Sequence, residues 1–345
     1  MPKFILSEEK VLEQYNKILD LADKISYSSK TNPLITPILE ENTECMFSIH
    51  MKNELKNVKD KGRVIFLAQS WRKDDIRDLI KLGVVNFVVD NEPDLDLLLG
   101  TLNEINIKIN LYLRIKLQEM SIRTERYYVF GMDRDVVNMR LKEISRNNIN
   151  KIGIHFHRKT QNISEWDLVR DMETMFDDLS LVDEVIIGGG IPSSYANTND
   201  DVLRVIFEKI KEAKEWLNER NIGMIVEPGR FIAAPSIKLE CNIINIYGNT
   251  IVVDASIYNS DLDALIVPVK LKIEGELKKG EGKEYIIKGV TPCSLDLFRY
   301  RVYLPERKIG DKIVFLNSGA YNFSTDFCDL EKIETEYDYS SSEIN

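Results

Sequence analysis

Between residues 25 and 227 the chain repeats one pattern eight times: a short apolar run, then an amphipathic stretch. The runs lie near 25–29, 45–48, 64–68, 87–89, 109–114, 152–157, 185–187 and 224–227. Each has the length of a strand rather than of a helix. The stretches 74–81, 95–102, 135–145, 166–176 and 202–217 read as helices; in the last, Val202, Val205, Ile206 and Ile210 fall on one face. Such alternation predicts an α/β chain whose parallel strands close into a (β/α)8, TIM-type barrel.

Beyond about residue 232 the rhythm changes. Strand-like runs at 237–246, 250–253, 265–273, 284–287, 301–304 and 312–316 are separated by turn chemistry such as Tyr247-Gly248-Asn249 and Gly280-Glu281-Gly282. The expectation is a barrel over 8–231 and an antiparallel β domain over 232–345. With 345 residues there is material for both.

The net charge of -10 argues against a general nucleic-acid binder. No apolar run approaches the ~20 residues that span a bilayer. Cys45, Cys241, Cys293 and Cys328 show no metal-type spacing, and no signal peptide is visible, so a cytoplasmic location is expected. The polar tail 340–345 is expected to fray.

Chemistry on such a barrel sits at the C-terminal ends of the strands. Lys30, Ser48, Arg114, His157, Gly188 and Glu227 all fall at or just after predicted strand ends. A lysine ending a strand points into the barrel mouth. Desolvation lowers its pKa, and the neutral amine can form a Schiff base with an aldehyde such as pyridoxal phosphate. That cofactor needs a partner for its ring nitrogen, and Glu227 suits: a carboxylate there keeps the nitrogen protonated and the ring an electron sink. It also needs a phosphate cradle. Gly188-Gly189-Gly190 let backbone approach an anion, as does the turn at Gly229; Arg230 and Tyr321 add donors. His155 and His157 share a face if the strand continues. As a metal pair they lack a third ligand motif.

Tyr27-Ser28-Ser29-Lys30-Thr31-Asn32, His155-Phe156-His157, Gly188-Gly189-Gly190, Glu227-Pro228-Gly229-Arg230 and Gly319-Ala320-Tyr321 occur in this order. Together, over roughly residues 1–330, they resemble the pyridoxal-phosphate decarboxylases of the alanine-racemase fold (fold type III). That family includes ornithine, diaminopimelate, arginine and carboxynorspermidine decarboxylases of amino-acid and polyamine metabolism. The resemblance implies a homodimer with shared active sites, and residues 1–7 joining the β domain. It implies that His157 stacks on the cofactor ring, Arg114 lies near its phenolic oxygen, and Thr160 and Tyr321 lie near its phosphate. It matches Glu54 to a glutamate of an active-site helix. It also implies that Cys293, from the partner subunit, returns a proton to Cα.

The chain departs from the family at several positions. Arg158-Lys159-Thr160 replaces Val/Ile-Gly-Ser, and Ser48 replaces an aspartate. The loop acid that would bind a distal ammonium falls on Cys293 or Ser294, and a second acid falls near Ile266-Val267; both are missing. So is the arginine of diaminopimelate decarboxylases, near Leu262. The segment from Asp254 to Pro268 looks somewhat more like carboxynorspermidine decarboxylases. Asp296 and Asp263 are candidates to replace the lost acids. Arg299 and Arg301 either recognise an anionic group or form a charged strand edge. His50 has no assigned role. The expected activity is amino-acid decarboxylation; a racemase of the same fold and a non-catalytic regulatory paralogue, like the antizyme inhibitors, are the alternatives.

Overall fold

The computed structural model describes residues 1–117, 130–163 and 166–338; the tail 340–345 lies outside these. Two compact units emerge. One holds Asn16–Pro192 and Asp201–Gly229; the other holds Met1–Tyr15, Ser193–Asp200 and the chain from Arg230 onward. The segment Ser193–Asp200 counts with the second unit because Ala196 N donates to Lys270 O (2.8 Å).

The second unit opens the chain with β1 (Lys3–Leu6). The first unit is a closed parallel barrel of β2 (Lys24–Ser28), β3 (Met46–Ile49), β4 (Val64–Ala68), β5 (Asn86–Val89), β6 (Ile109–Arg114), β7 (Ile149–His155), β8 (Glu184–Ile186) and β9 (Gly223–Val226). Pairing of Ile25 with Val226 closes the ring. Ile65, Val88, Tyr112, Ile186 and Ile225 pack inside it. The helix Glu92–Ile105 shows why these segments form where they do. Asn91 caps it by accepting from Asp94 N, Pro93 sits in its first turn, and Asn106 ends it in the left-handed conformation. The helix Val202–Asn218 turns Ile206, Ile210, Ala213 and Leu217 inward. Val205, expected on that face, is exposed, because the buried spacing of four, three and four residues centres the stripe elsewhere.

The second unit carries an eight-stranded sheet of β1, β10 (Ile237–Tyr247), β11 (Thr250–Val253), β12 (Lys272–Ile273), β13 (Lys283–Lys288), β14 (Leu297–Leu304), β15 (Lys312–Leu316) and β16 (Thr335–Tyr337). β1 pairs antiparallel with β10. The sheet is mixed rather than antiparallel throughout: β11 runs parallel to β13, and β1 to β16. The run 265–273 is not one strand. Asp263–Ile266 is a helical turn, and only Lys272–Ile273 pair, after Pro268, which has no N–H to give a ladder. Among the described residues no helix is long and apolar enough to cross a membrane.

Candidate active site

β2 ends at Ser28, and Ser29–Thr31 make one tight 3-10 turn that carries Lys30. The turn is fixed from behind. Tyr27 Oη donates to Asn32 O (3.0 Å), and Ser29 Oγ lies 2.8 Å from Thr36 Oγ1 in the next helix. Lys30 therefore faces the open barrel mouth from a rigid base. Crowding by protein lowers its pKa; Glu227 opposes that shift and Arg114 adds to it. Arg114, the last residue of β6, donates to Asp90 Oδ1 at 3.0 Å.

Glu227 follows β9 directly and is buried. Ser48 Oγ donates to its Oε1 (2.6 Å), and His155 Nε2 lies 2.8 Å from its Oε2. Burial alone would raise the carboxyl pKa. The His155 ring and the Ser48 hydroxyl overcome this and bring it to about 2. The two strand histidines do not share a fate. β7 ends at His155, which is buried, whereas His157 lies beyond the strand and faces the mouth. Gly189 N donates to His157 Nδ1 (3.1 Å), and crowding, with Arg114 and Lys30 nearby, lowers the imidazole pKa. His50 and Glu54 stand in the same mouth. Glu54 Oε1 accepts from the amides of His50 and Met51, while His50 Nδ1 and Glu54 Oε2 are buried without partners among the described residues.

Gly188, Gly189 and Gly190 leave no room for side chains. A Cβ on Gly188 would strike Phe156 O; on Gly189 it would lie 2.6 Å from Glu227 O, and on Gly190 2.9 Å from Lys159 O. Gly188 and Gly190 also have positive φ. Thr160 is half-buried in the facing loop, whose Asn162 N donates to Gly190 O (3.1 Å). Arg158 stands in that loop at the position where the resembled family has valine or isoleucine. It is fully buried, donates to Asp171 (2.6 Å) and lies over the rings of Phe156 and Trp166. A Cβ on Gly229 would strike Thr31 Oγ1, so this glycine lets the Lys30 turn and the Glu227 turn pack closely.

In the second unit, Arg230 donates to both oxygens of Asp263 and to Tyr195 Oη (3.0 Å), and lies over the Tyr321 ring. Cys293 is partly buried, with its sulfur 3.2 Å from Tyr258 Oη; that hydrogen bond lowers the thiol pKa. Ser294 is exposed beside it.

Two expected substrate residues are otherwise committed. Asp296 is fully buried and accepts from Ile257 N (2.9 Å), Thr291 N (3.0 Å) and Thr291 Oγ1 (2.7 Å). It braces the Cys293 loop and cannot reach a substrate. Arg299 is buried in a double hydrogen bond to Glu276 and a third to Leu271 O. Asp296→Asn should cost ~1–3 kcal/mol, because the amide leaves buried donors facing its NH2 group. Urea unfolding checks this; an unchanged midpoint would contradict the bracing role.

Sequence reasoning missed the link from His155 to Glu227 and the one from Asp263 to Arg230. The residue before Phe156 signalled the first, since a histidine on a buried strand needs a polar partner.

The family model described as "Pyridoxal-dependent decarboxylase, pyridoxal binding domain" matches residues 8–234. Diaminopimelate decarboxylase of Campylobacter jejuni is 24% identical over 87% of this chain and 80% of its own. Antizyme inhibitor 2 of Xenopus laevis is 26% identical over 81% of this chain and 67% of its own. The crystal structure of diaminopimelate decarboxylase from Helicobacter pylori complexed with L-lysine shares the fold. Its TM-score is 0.83 at 19% identity, covering 99% of this chain and 92% of that one. The barrel residues fit pyridoxal phosphate: a crowded lysine, an ionised carboxylate and a glycine cradle closed to side chains meet at one end of the barrel. The chain belongs to the pyridoxal-dependent decarboxylases, carboxy-lyases that work with pyridoxal phosphate.

Proposed function

We propose that this chain removes the α-carboxylate of an amino acid that does not end in a free ammonium group. The observation that carries the activity is the meeting of Lys30, Glu227, His157 and Gly188–Gly190 at the C-terminal ends of the barrel strands. When bound, pyridoxal phosphate takes up the electron pair freed by loss of CO2. Lys30 would hold the cofactor and release it to the substrate amine. Glu227 would supply an anionic partner for the ring nitrogen. His157 would pack against the ring and orient the departing carboxylate. Arg114, held by Asp90, would serve the phenolic oxygen. Gly188, Gly189, Gly190, Gly229 and Thr160 give the phosphate backbone and hydroxyl donors, and we keep Arg230 and Tyr321 in that role. Cys293, contributed across a homodimer, returns a proton to Cα; the Tyr258 hydrogen bond makes its thiol the readier acid.

The substrate restriction rests on the lost acids. A buried ammonium without a carboxylate is costly, while a charged hydrogen-bonded pair contributes roughly 1.5–3 kcal/mol. Neither replacement candidate supports such a pair: Asp296 braces its loop and Asp263 is taken by Arg230. Arg301, exposed and 3.5 Å from Glu284, is left as a contact for an anionic distal end. Ornithine and lysine should therefore give kcat/KM well below ~10⁴ M⁻¹s⁻¹, and a substrate with a neutral, substituted or anionic end should do better. Steady-state kinetics on both classes decides it. Values at or above that level for ornithine or lysine would show that the acids have been replaced.

A further inference from the structure

Glu227 is held from two sides by groups to which the proposed reaction gives no part. Ser48, in β3, donates to Oε1 and lies 2.7 Å from Ser26 Oγ on β2. His155, at the end of β7, meets Oε2. All four side chains are buried, with Ser26 at 0%, Ser48 at 1%, His155 at 1% and Glu227 at 5% exposure. His155 Nδ1 has no hydrogen-bond partner among the described residues. A proton on Nδ1 would be a buried donor without an acceptor, so the surroundings favour the tautomer that presents Nε2–H to the carboxylate.

We propose that His155, with Ser48, is a positioning residue that fixes the Glu227 carboxylate and makes it the weaker base of the pair it forms with the cofactor's ring nitrogen. This rests on Glu227 facing that nitrogen. An ionised carboxylate has about four lone-pair sites, so two donors leave room for a third. Bonds to both oxygens lock the carboxylate plane, which one bond would leave free to turn. Hydrogen bonds to the charged form also lower its basicity. A shared proton resides on the more basic partner, here the nitrogen, and a cationic ring is the stronger electron sink.

The test loads wild type, His155→Leu and His155→Gln with pyridoxal phosphate carrying ¹⁵N in its ring. Wild type should show the chemical shift of a protonated nitrogen. In His155→Leu the signal should move toward the neutral value, and kcat should fall at least ~10-fold with KM within ~2-fold. His155→Gln, whose amide N–H can stand in for Nε2–H, should restore the shift and most of kcat. A merely structural histidine would not move the ring-nitrogen signal. Equal shifts in wild type and His155→Leu, with Lys30 modified in both, would overturn this inference and leave the decarboxylase reading standing. A neutral ring nitrogen in wild type, or no cofactor uptake at all, would overturn both. Should His155→Leu fail to fold, His155→Asn takes its place. Its amide is too short to reach Glu227, so a wild-type signal in that variant overturns the inference.

Discussion

Lys30→Ala should purify without a covalently held cofactor and lose turnover by at least ~10³-fold, equivalent to ~4 kcal/mol of barrier. The amine that would hold the aldehyde is gone, and no charged neighbour among the described residues replaces it. Arg114 is held by Asp90 and does not act as a neutral amine, while Glu54 and Glu227 are acids. The turn itself should survive, because Tyr27, Ser29, Asn32 and Thr36 hold it without using the lysine side chain. Borohydride reduction of the wild type, followed by peptide mapping, should place the cofactor on Lys30. A label on another lysine would remove Lys30 from the site.

The second large effect belongs to Glu227→Gln. This variant should still take up the cofactor and turn over on the order of a hundredfold more slowly or worse, at ~1.4 kcal/mol per tenfold. Its two oxygens now accept from Ser48 and His155. An amide offers one oxygen and one NH2 group. Ser48 can rotate its hydroxyl to accept, using Ser26 as its own acceptor, so the pocket should tolerate glutamine. The negative charge opposite the ring nitrogen is what disappears. Near-normal activity would take Glu227 out of the electron-sink role.

The barrel was legible because its strands are short apolar runs bounded by polar turns. The bounds 64–68 and 109–114 match β4 and β6, as 250–253 and 312–316 match β11 and β15 in the other unit. The run 265–273 misled because apolarity is not burial: Leu265 and Ile266 are exposed. The parallel pairing of β11 with β13 has no local signature either, since β12 and a long connection lie between them in the chain.

Site residues followed the same division. Lys30 and Glu227 are marked by position at strand ends. Whether a charged side chain is free to act depends on distant partners. Arg299 looked available until Glu276, on a separate turn, took its guanidinium; Asp296 was taken by three donors from two loops. His155 was visible as a residue, but its meaning came from a carboxylate just after β9, two strands further along the chain, that lies 2.8 Å from its ring.

The central claim is that this chain breaks the Cα–carboxylate bond of an amino acid. The direct measurement incubates the cofactor-loaded protein with amino acids labelled with ¹³C in the α-carboxylate, including substituted and anionic-ended ones. Labelled CO2 should appear in step with the corresponding amine. Exchange of the α-hydrogen with the carboxylate retained would instead make the chain a racemase. A bound cofactor with neither exchange nor CO2 across the panel would contradict catalysis altogether.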